Sequence, residues 1–156
     1  AQSIIHSLQG SHPRVIAIAN RTKEKIKPVV GRFPSLDTDD SSPNTQVVDI
    51  ETYLNQFDYQ GFHTVVNATS ARKVSHFKWC ESLPIESATN FYDLSYSMLD
   101  ETTPFIKWAR HQGNINAKKK ISDGFGMLIH QAALSFEMWT GIKPDTNITK
   151  DELFDG

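Results

Sequence analysis

The sequence predicts an α/β fold in which helices cover a doubly wound parallel sheet. The run 14–19 is almost continuously apolar and β-branched, as in a strand that is buried on both faces, and 62–66 ends in a similar pair of valines. Segments with helical periodicity lie between such runs, and this alternation favours parallel strands. At 156 residues, one domain is the simplest organisation.

Composition argues against several classes of partner. The 16 basic and 18 acidic residues nearly balance, so the chain creates no strong field for nucleic acid or a membrane surface. No apolar run approaches the ~20 residues that span a bilayer, and no signal peptide is visible. The single cysteine, Cys80, permits no internal disulfide, and the six histidines lack metal-ligand spacing. We expect a cytoplasmic protein without a metal, a nucleic-acid partner or a membrane partner.

The first half of the chain is expected to alternate helices and strands. In order, the helix, strand, helix, strand and helix cover 1–8, 14–19, 23–32, 46–49 and 51–57. Gly10 is placed to end the first helix, and Thr22 is a suitable N-cap for the second. The polar stretch 33–45, with two prolines, is expected to be a surface loop.

The second half is expected to begin with strands at 62–66 and 90–94, separated by an irregular region. Thr103 and Pro104 open a helix, because threonine can cap and proline is tolerated at the first helical position. Gly113 is expected to end that helix. The lysines at 118–120 are interpreted as a solvated loop, and 149–154 as a short terminal helix.

A last long helix is predicted between Gly124 and Gly141. Two apolar stripes run along it, and we therefore expect it to be largely buried. The stripes comprise Leu128, Ala132, Phe136 and Trp139, and Met127, Gln131, Leu134 and Met138. Because Gln131 lies within an apolar stripe, its amide is expected to need a partner, either backbone or a ligand.

Polar residues follow the predicted strands at the edge where open parallel sheets bind ligands. They are Asn20-Arg21-Thr22, Asn67-Ala68-Thr69-Ser70 and Leu94-Ser95-Tyr96. Arg21 is either a surface arginine at a helix start or a reader of phosphate, since a guanidinium binds phosphate in a bidentate way. Asn67–Ser70 would form a polar turn with or without a ligand.

The stretch Asp123-Gly-Phe-Gly-Met-Leu-Ile-His-Gln-Ala-Ala133 resembles the C-terminal motif of shikimate dehydrogenases. Further motifs of that family occur in the same order along the chain. They are Asn20-Arg-Thr22, Asn67-Ala-Thr-Ser70, Tyr92-Asp-Leu-Ser-Tyr96, Thr103-Pro-Phe105 and Trp139-x-Gly-x-x-Pro144. Each motif is short, but their common order extends the resemblance from about residue 1 to 145.

The resemblance implies a partial, Rossmann-like NADP-binding domain over 1–156 that is incomplete at its N-terminus. It implies that 124–141 is a helix that bridges to a substrate domain outside this chain. The cofactor-binding residues that it implies are Asn20, Arg21, Thr22, Lys25, Asn67, Ala68, Thr69, Ser70, Leu94, Gly124 and Met127, and the substrate-binding residues are Tyr96 and Gln131. The chain departs from the family at Lys25, where many relatives carry arginine, and at Ala71-Arg72, where Ser-Gly or a similar pair is common.

The activity that the resemblance implies is the reversible, NADPH-dependent reduction of 3-dehydroshikimate to shikimate, in a monomer or homodimer. This reaction belongs to aromatic amino acid and chorismate biosynthesis. The proton shuttle of the family is a Lys-Asp pair in the N-terminal substrate domain, and no segment here resembles that domain or the Gly-rich pyrophosphate loop. No catalytic residue is therefore assigned, and 1–156 alone is expected to be inactive.

Three other functions remain open from the sequence. A quinate/shikimate dehydrogenase that uses NAD is disfavoured by Asn20, because NAD sites usually place an acidic residue at that position. A glutamyl-tRNA reductase is disfavoured by the Asp123–Ala133 motif. A non-catalytic domain that senses shikimate-pathway metabolites would carry the same motifs without the Lys-Asp pair.

Overall fold

The computed structural model describes residues 2–33, 45–56, 61–97, 102–113, 118–149 and 152. They form two compact units, Ala1–Gln60 and Gly61–Gly156. Nearly all of the predicted loop 33–45 lies outside the described residues. The same is true of the terminal helix predicted for 149–154, apart from Thr149 and the helical residue Glu152.

The first unit contains two parallel strands and the helices that follow them. Its elements are α1 (Gln2–Gln9), β1 (Val15–Ile18), a 3-10 turn (Lys23–Lys25), α2 (Lys27–Val30), β2 (Gln46–Asp49) and α3 (Ile50–Gln56). Val15 lies opposite Gln46 and Ile18 opposite Asp49 in the ladder. The buried apolar side chains of this unit are Ile5, Ile26, Val47 and Tyr53.

The helix predicted for 23–32 is divided into the 3-10 turn and α2. Pro28 lies in the first turn of α2 and has no backbone N–H to donate to the preceding turn, so the helix restarts there. Thr22 occupies the cap position of the 3-10 turn, but its side chain makes no capping hydrogen bond. Its backbone N–H instead donates to Asn20 Oδ1 at 2.9 Å.

The second unit contains a three-stranded parallel sheet of order β3-β4-β5. Its elements are β3 (Thr64–Asn67), a 3-10 segment (Val74–Ser82), β4 (Asn90–Asp93), α4 (Pro104–Ala109), β5 (Lys120–Ser122) and α5 (Phe125–Thr140). Its core centres on the rings of Phe77, Phe91, Phe105 and Trp108, whose closest centroids are 5.5 Å apart. The 3-10 segment in the region expected to be irregular contributes Phe77 and Cys80 to this core.

The lysine run is not simply a solvated loop, because Lys120 begins β5. The Lys120 N–H donates to the Thr89 carbonyl at 2.8 Å, and Ile121 packs against the core while Lys120 and Ser122 are exposed. In the described sheet β5 pairs only with β4, and an edge strand readily carries lysine. Three residues are too few for an alternating pattern to be recognised in the sequence.

The bounds of α5 agree with the sequence, but the expected burial is wrong. Gly141 ends the helix with a left-handed φ of 71°, and its N–H donates to the Glu137 carbonyl at 2.8 Å. Phe125 is the one buried residue of α5, whereas Met138 and Trp139 are 84% and 83% exposed. Gln131 is exposed as well, so water can satisfy its amide and no protein partner is needed.

The four predicted strands are found as β1 to β4, and the predicted parallel pairing is confirmed. The first unit holds a two-stranded sheet and the second a three-stranded sheet. Among the described helices, none combines the length and the apolar character needed to cross a membrane.

Candidate functional site

The carboxyl ends of β3 and β4 are joined by a buried hydrogen-bond network. Asn67 ends β3 and donates from Nδ2 to Asp93 Oδ1, at the end of β4, at 2.8 Å. The other amide atom, Asn67 Oδ1, accepts from the backbone N–H and the hydroxyl of Thr69 at 3.1 and 2.7 Å. Asn67 is therefore a structural link whose amide orients the Asn67–Ser70 turn.

Asp93 is the centre of this network and is 1% exposed. Besides Asn67, the Ser95 N–H donates to Oδ1 at 3.0 Å and the Thr103 hydroxyl to Oδ2 at 2.5 Å. Thr103 Oγ1 also accepts from the Ile106 N–H at 3.3 Å, which confirms the predicted cap of α4. The carboxylate thus holds two strand ends and a helix start in one arrangement.

A cleft of about 410 Å³ opens above this network in the second unit. It is lined by Ser70, Ala71, Arg72, Ser95, Tyr96, Ser97, Thr102, Thr103 and Pro104. Ser70 and Tyr96 are thereby brought to one cavity, as the sequence analysis expected of strand-end residues. Asp93, Thr103 and Arg72 were assigned no role there; the signal available for Asp93 was an acidic residue at the end of a buried strand.

Gly124 approaches the backbone that follows β4. Its N–H donates to the Ser95 carbonyl at 3.1 Å, and an added Cβ would lie 2.2 Å from the Leu94 carbonyl oxygen. Only glycine permits this approach without displacement of the peptide. The contact fixes the start of α5 beside the Leu94–Tyr96 segment.

The remaining predicted residues of this unit lie outside the lining of the cleft. Leu94 and Met127 are half-buried, Ala68 is exposed, and Gln131 is exposed on α5. The structure therefore joins Tyr96 to the cleft but does not bring Gln131 to it. Roles for these side chains rest on the sequence.

The first unit has its own candidate site, at the end of β1. Arg21 and Lys25 are exposed, and neither side chain has a hydrogen-bond or ion-pair partner among the residues that the structure describes. Lys23, between them, forms an ion pair with Glu51, whose carboxylate raises the pKa of that lysine by hydrogen bonding and by charge. Arg21 and Lys25 therefore keep their positive charge available for a ligand.

Two further titratable groups have structural explanations. Asp49, at the end of β2, accepts from the Thr52 N–H and hydroxyl at 2.9 and 2.7 Å, and these bonds lower the pKa of the carboxyl. Burial raises the pKa of the Cys80 thiol to about 12, so the thiolate is scarce and the cysteine unreactive. No cluster of metal-ligating side chains occurs within the described part of the chain.

Comparison with known proteins gives one consistent family. Residues 124–154 match the model of the shikimate 5'-dehydrogenase C-terminal domain. Over 98% of the chain, it is 33% identical to the shikimate dehydrogenase (NADP(+)) of Psychromonas ingrahamii, and over 93% it is 35% identical to that of Vesicomyosocius okutanii. These alignments cover 50% and 48% of the relatives, so the chain spans about half the length of the curated relatives it matches.

Solved structures share the fold. A chorismate mutase/shikimate 5-dehydrogenase fusion protein from Clostridium acetobutylicum matches with a TM-score of 0.60 and 24% identity, over 98% of this chain and 48% of its own. A shikimate dehydrogenase in complex with NADP+ matches with a TM-score of 0.50 and 23% identity, over 90% and 46%. The predicted Rossmann-like α/β class is thereby confirmed.

The close approach at Gly124 predicts a position-specific cost of adding a methyl group. Gly124→Ala should lower the free energy of unfolding by about 2 kcal/mol, because the Leu94 peptide must move. The matched control is Gly126→Ala on the same helix, where a Cβ meets nothing within 4 Å. That change should stabilise by about 0.5–1 kcal/mol. Urea unfolding of both variants measures this, and equal effects would contradict the account.

Proposed function

Because this chain belongs with the C-terminal half of the shikimate dehydrogenase family, we propose that it is the NADP-binding part of such an enzyme. The reaction is the reversible reduction of 3-dehydroshikimate to shikimate. One observation carries this proposal: the sequence match runs over 98% of the chain and so spans all three groups of strand-end residues. The bound cofactor supplies the hydride; the residues of this chain bind and orient.

The first unit contributes the residues that read the adenosine 2'-phosphate. Arg21 and Lys25 fit this task because they are exposed cations without a described partner, whereas Lys23 forms an ion pair with Glu51. Asn20 is neutral, so no acidic side chain at that position repels a phosphate. Thr22 is exposed beside them, and its N–H is fixed by Asn20. This set favours NADP over NAD.

The second unit contributes the residues for the nicotinamide half of the cofactor. The amide of Asn67 holds Thr69, which sets the conformation of a turn whose exposed members are Ala68, Thr69 and Ser70. The Gly124 backbone lies against Leu94, where a side chain would block the approach. Leu94 and Met127 are half-buried apolar groups suited to pack beside an aromatic ring.

Substrate binding is assigned to Tyr96 and Gln131. Tyr96 is 39% exposed and lines the cleft, so its hydroxyl is accessible to a small polar molecule. Gln131 is exposed on α5 and offers both a donor and an acceptor. A polyhydroxylated cyclohexene carboxylate presents the hydroxyls that these groups bind.

The apolar surface of α5 supports its role as a bridge. Leu134, Met138 and Trp139 are 61%, 84% and 83% exposed, which is costly for a helix surface that nothing covers. The relatives are about twice as long as this chain, and their other half is a suitable cover. We place the protein in the cytoplasm, as a monomer or homodimer.

A metabolite-sensing domain is the second candidate function. The observation that favours it is the chemistry of the cleft, whose described lining residues include hydroxyls and Arg72 but no carboxylate, lysine or histidine. Such a lining can bind a ligand without transferring a proton. An NAD-dependent quinate/shikimate dehydrogenase fits less well, because NAD lacks the 2'-phosphate that Arg21 would bind.

Arg21→Ala should weaken the binding of NADPH much more than the binding of NADH. Loss of one charge-assisted contact to the 2'-phosphate costs about 1.5–3 kcal/mol. Isothermal titration calorimetry with both cofactors measures the two affinities. Lys27→Ala removes another exposed cation, from α2, and should leave the ratio of the NADPH and NADH affinities unchanged. Equal losses of both cofactors in Arg21→Ala would show that another residue reads the phosphate.

Gln131→Ala should weaken shikimate binding by about tenfold and leave NADP+ binding nearly unchanged, because one hydrogen bond to a substrate hydroxyl is lost. His130→Ala, at the neighbouring exposed position of α5, is the matched control and should change neither affinity. Titration of both ligands distinguishes the roles. Lost NADP+ affinity with normal shikimate binding would reverse the assignment.

Purified 1–156 should show no turnover with shikimate and NADP+. The family's proton shuttle is implied for the half of the relatives that this chain does not span, and the described cleft lining offers no acid–base pair. Absorbance of the reduced nicotinamide is followed, with a full-length shikimate dehydrogenase as positive control. Turnover by a preparation of confirmed mass would mean that a shuttle lies within these residues.

A further inference from the structure

We infer that Arg72 is the anion-binding residue of the cleft in the second unit, and that the cleft takes a carboxylate or phosphate group. The inference rests on the proposed function for the identity of the natural ligand. It concerns a position where this chain departs from the Ser-Gly pair common in the family it resembles. It therefore adds a charge contact that the family motifs do not supply.

Several polar groups that line the cleft are free to bind a ligand. Thr103 lines it, but its hydroxyl is engaged by Asp93 and by the Ile106 N–H. The side chains of Ser70, Arg72 and Tyr96 are exposed, and none of them has a hydrogen-bond partner among the described residues. The hydrogen-bond donors of these three side chains are therefore available to a ligand in the cleft.

The described lining of the cleft carries a positive charge. Arg72 is the one formally charged side chain in the described lining. The nearest acidic group in the network, Asp93, is 1% exposed and accepts from Asn67, Ser95 and Thr103. Its carboxylate is satisfied beneath the surface, so it does not compete for the guanidinium. A bound anion would therefore pair with the Arg72 guanidinium.

The groups around the cleft suit an oxyanion ligand. A guanidinium fits a carboxylate or phosphate through two parallel N–H bonds, and the surrounding hydroxyls bind further oxygen atoms. A cleft of about 410 Å³ has room for a small molecule. The carboxylate of a polyhydroxylated substrate and a phosphate of the dinucleotide share this chemistry, and direct titration separates them.

The test titrates 1–156 with shikimate, NADP+ and inorganic phosphate, each alone, for wild type, Arg72→Gln and Arg72→Lys. Calorimetry gives the affinities, and the guanidinium NMR signal of Arg72 reports contact. The matched control is Lys73→Gln, which removes an adjacent exposed cation that does not line the cleft.

Arg72→Gln should raise the Kd of one or more of the three anions at least about tenfold, with partial rescue in Arg72→Lys and no change in Lys73→Gln. A loss for shikimate alone assigns the contact to the carboxylate, and a loss for NADP+ to a phosphate. The inference is overturned if the affinities are unchanged in Arg72→Gln and the Arg72 guanidinium signal of the wild type does not move on titration. An inorganic phosphate contact at Arg72 without shikimate or NADP+ binding would uphold the anion site while removing support for the proposed function. Binding of NADP+ and shikimate by the wild type, with unchanged affinities for all three anions in Arg72→Gln, would leave the proposed function standing and overturn the anion site.

Discussion

The carboxylate of Asp93 is the group on which the arrangement of the second unit depends. A charge that is 1% exposed is costly to bury unless donors replace its water. Here Asn67, Ser95 and Thr103 supply those donors. Removing the carboxylate would leave several donors without a partner, which costs more than the bonds themselves are worth in water.

The network has a consequence for the surface above it. Thr69 is fixed through the Asn67 amide, and Thr103 holds the first turn of α4. The cleft lies between these two segments and the one that follows β4. A pocket built on satisfied buried bonds is set before a ligand arrives, so less ordering accompanies binding.

Gly124 extends this order to the last helix. Its backbone lies against the Leu94 peptide, one residue beyond Asp93, and begins α5 there. The start of α5 is therefore positioned by the same strand end as the cleft. This contact does not bury the later turns of α5, and their apolar side chains remain exposed.

The sequence allowed the strand ends, the Thr103 cap and the stop at Gly141 to be predicted because each depends on residues close together in the chain. The burial of α5 could not be predicted, since periodicity identifies an apolar face but not what covers it. The partnership of Asn67 with Asp93 joins residues 26 positions apart, and depends on the register of two parallel strands. The short edge strand β5 depends on its pairing with β4, which three residues of sequence do not reveal.

The positions of Arg21 and Lys25 were foreseen, but their availability was not. Lys23, between them, pairs with Glu51, which lies 28 residues away. Lys23 and Glu51 are exposed, so this pair adds little to stability. Arg21 and Lys25 have no such partner within the described structure.

Amide hydrogen exchange in Asp93→Asn tests the central claim most directly. The account predicts that the Ser95, Thr69 and Ile106 amides lose protection together, because each is held by Asp93 or by a side chain that Asp93 holds. The Gln46 amide in the first unit, which donates to the Arg14 carbonyl at 3.1 Å, should keep its protection and serves as the internal control. Unchanged exchange at Ser95, Thr69 and Ile106 in a folded Asp93→Asn variant would contradict the account.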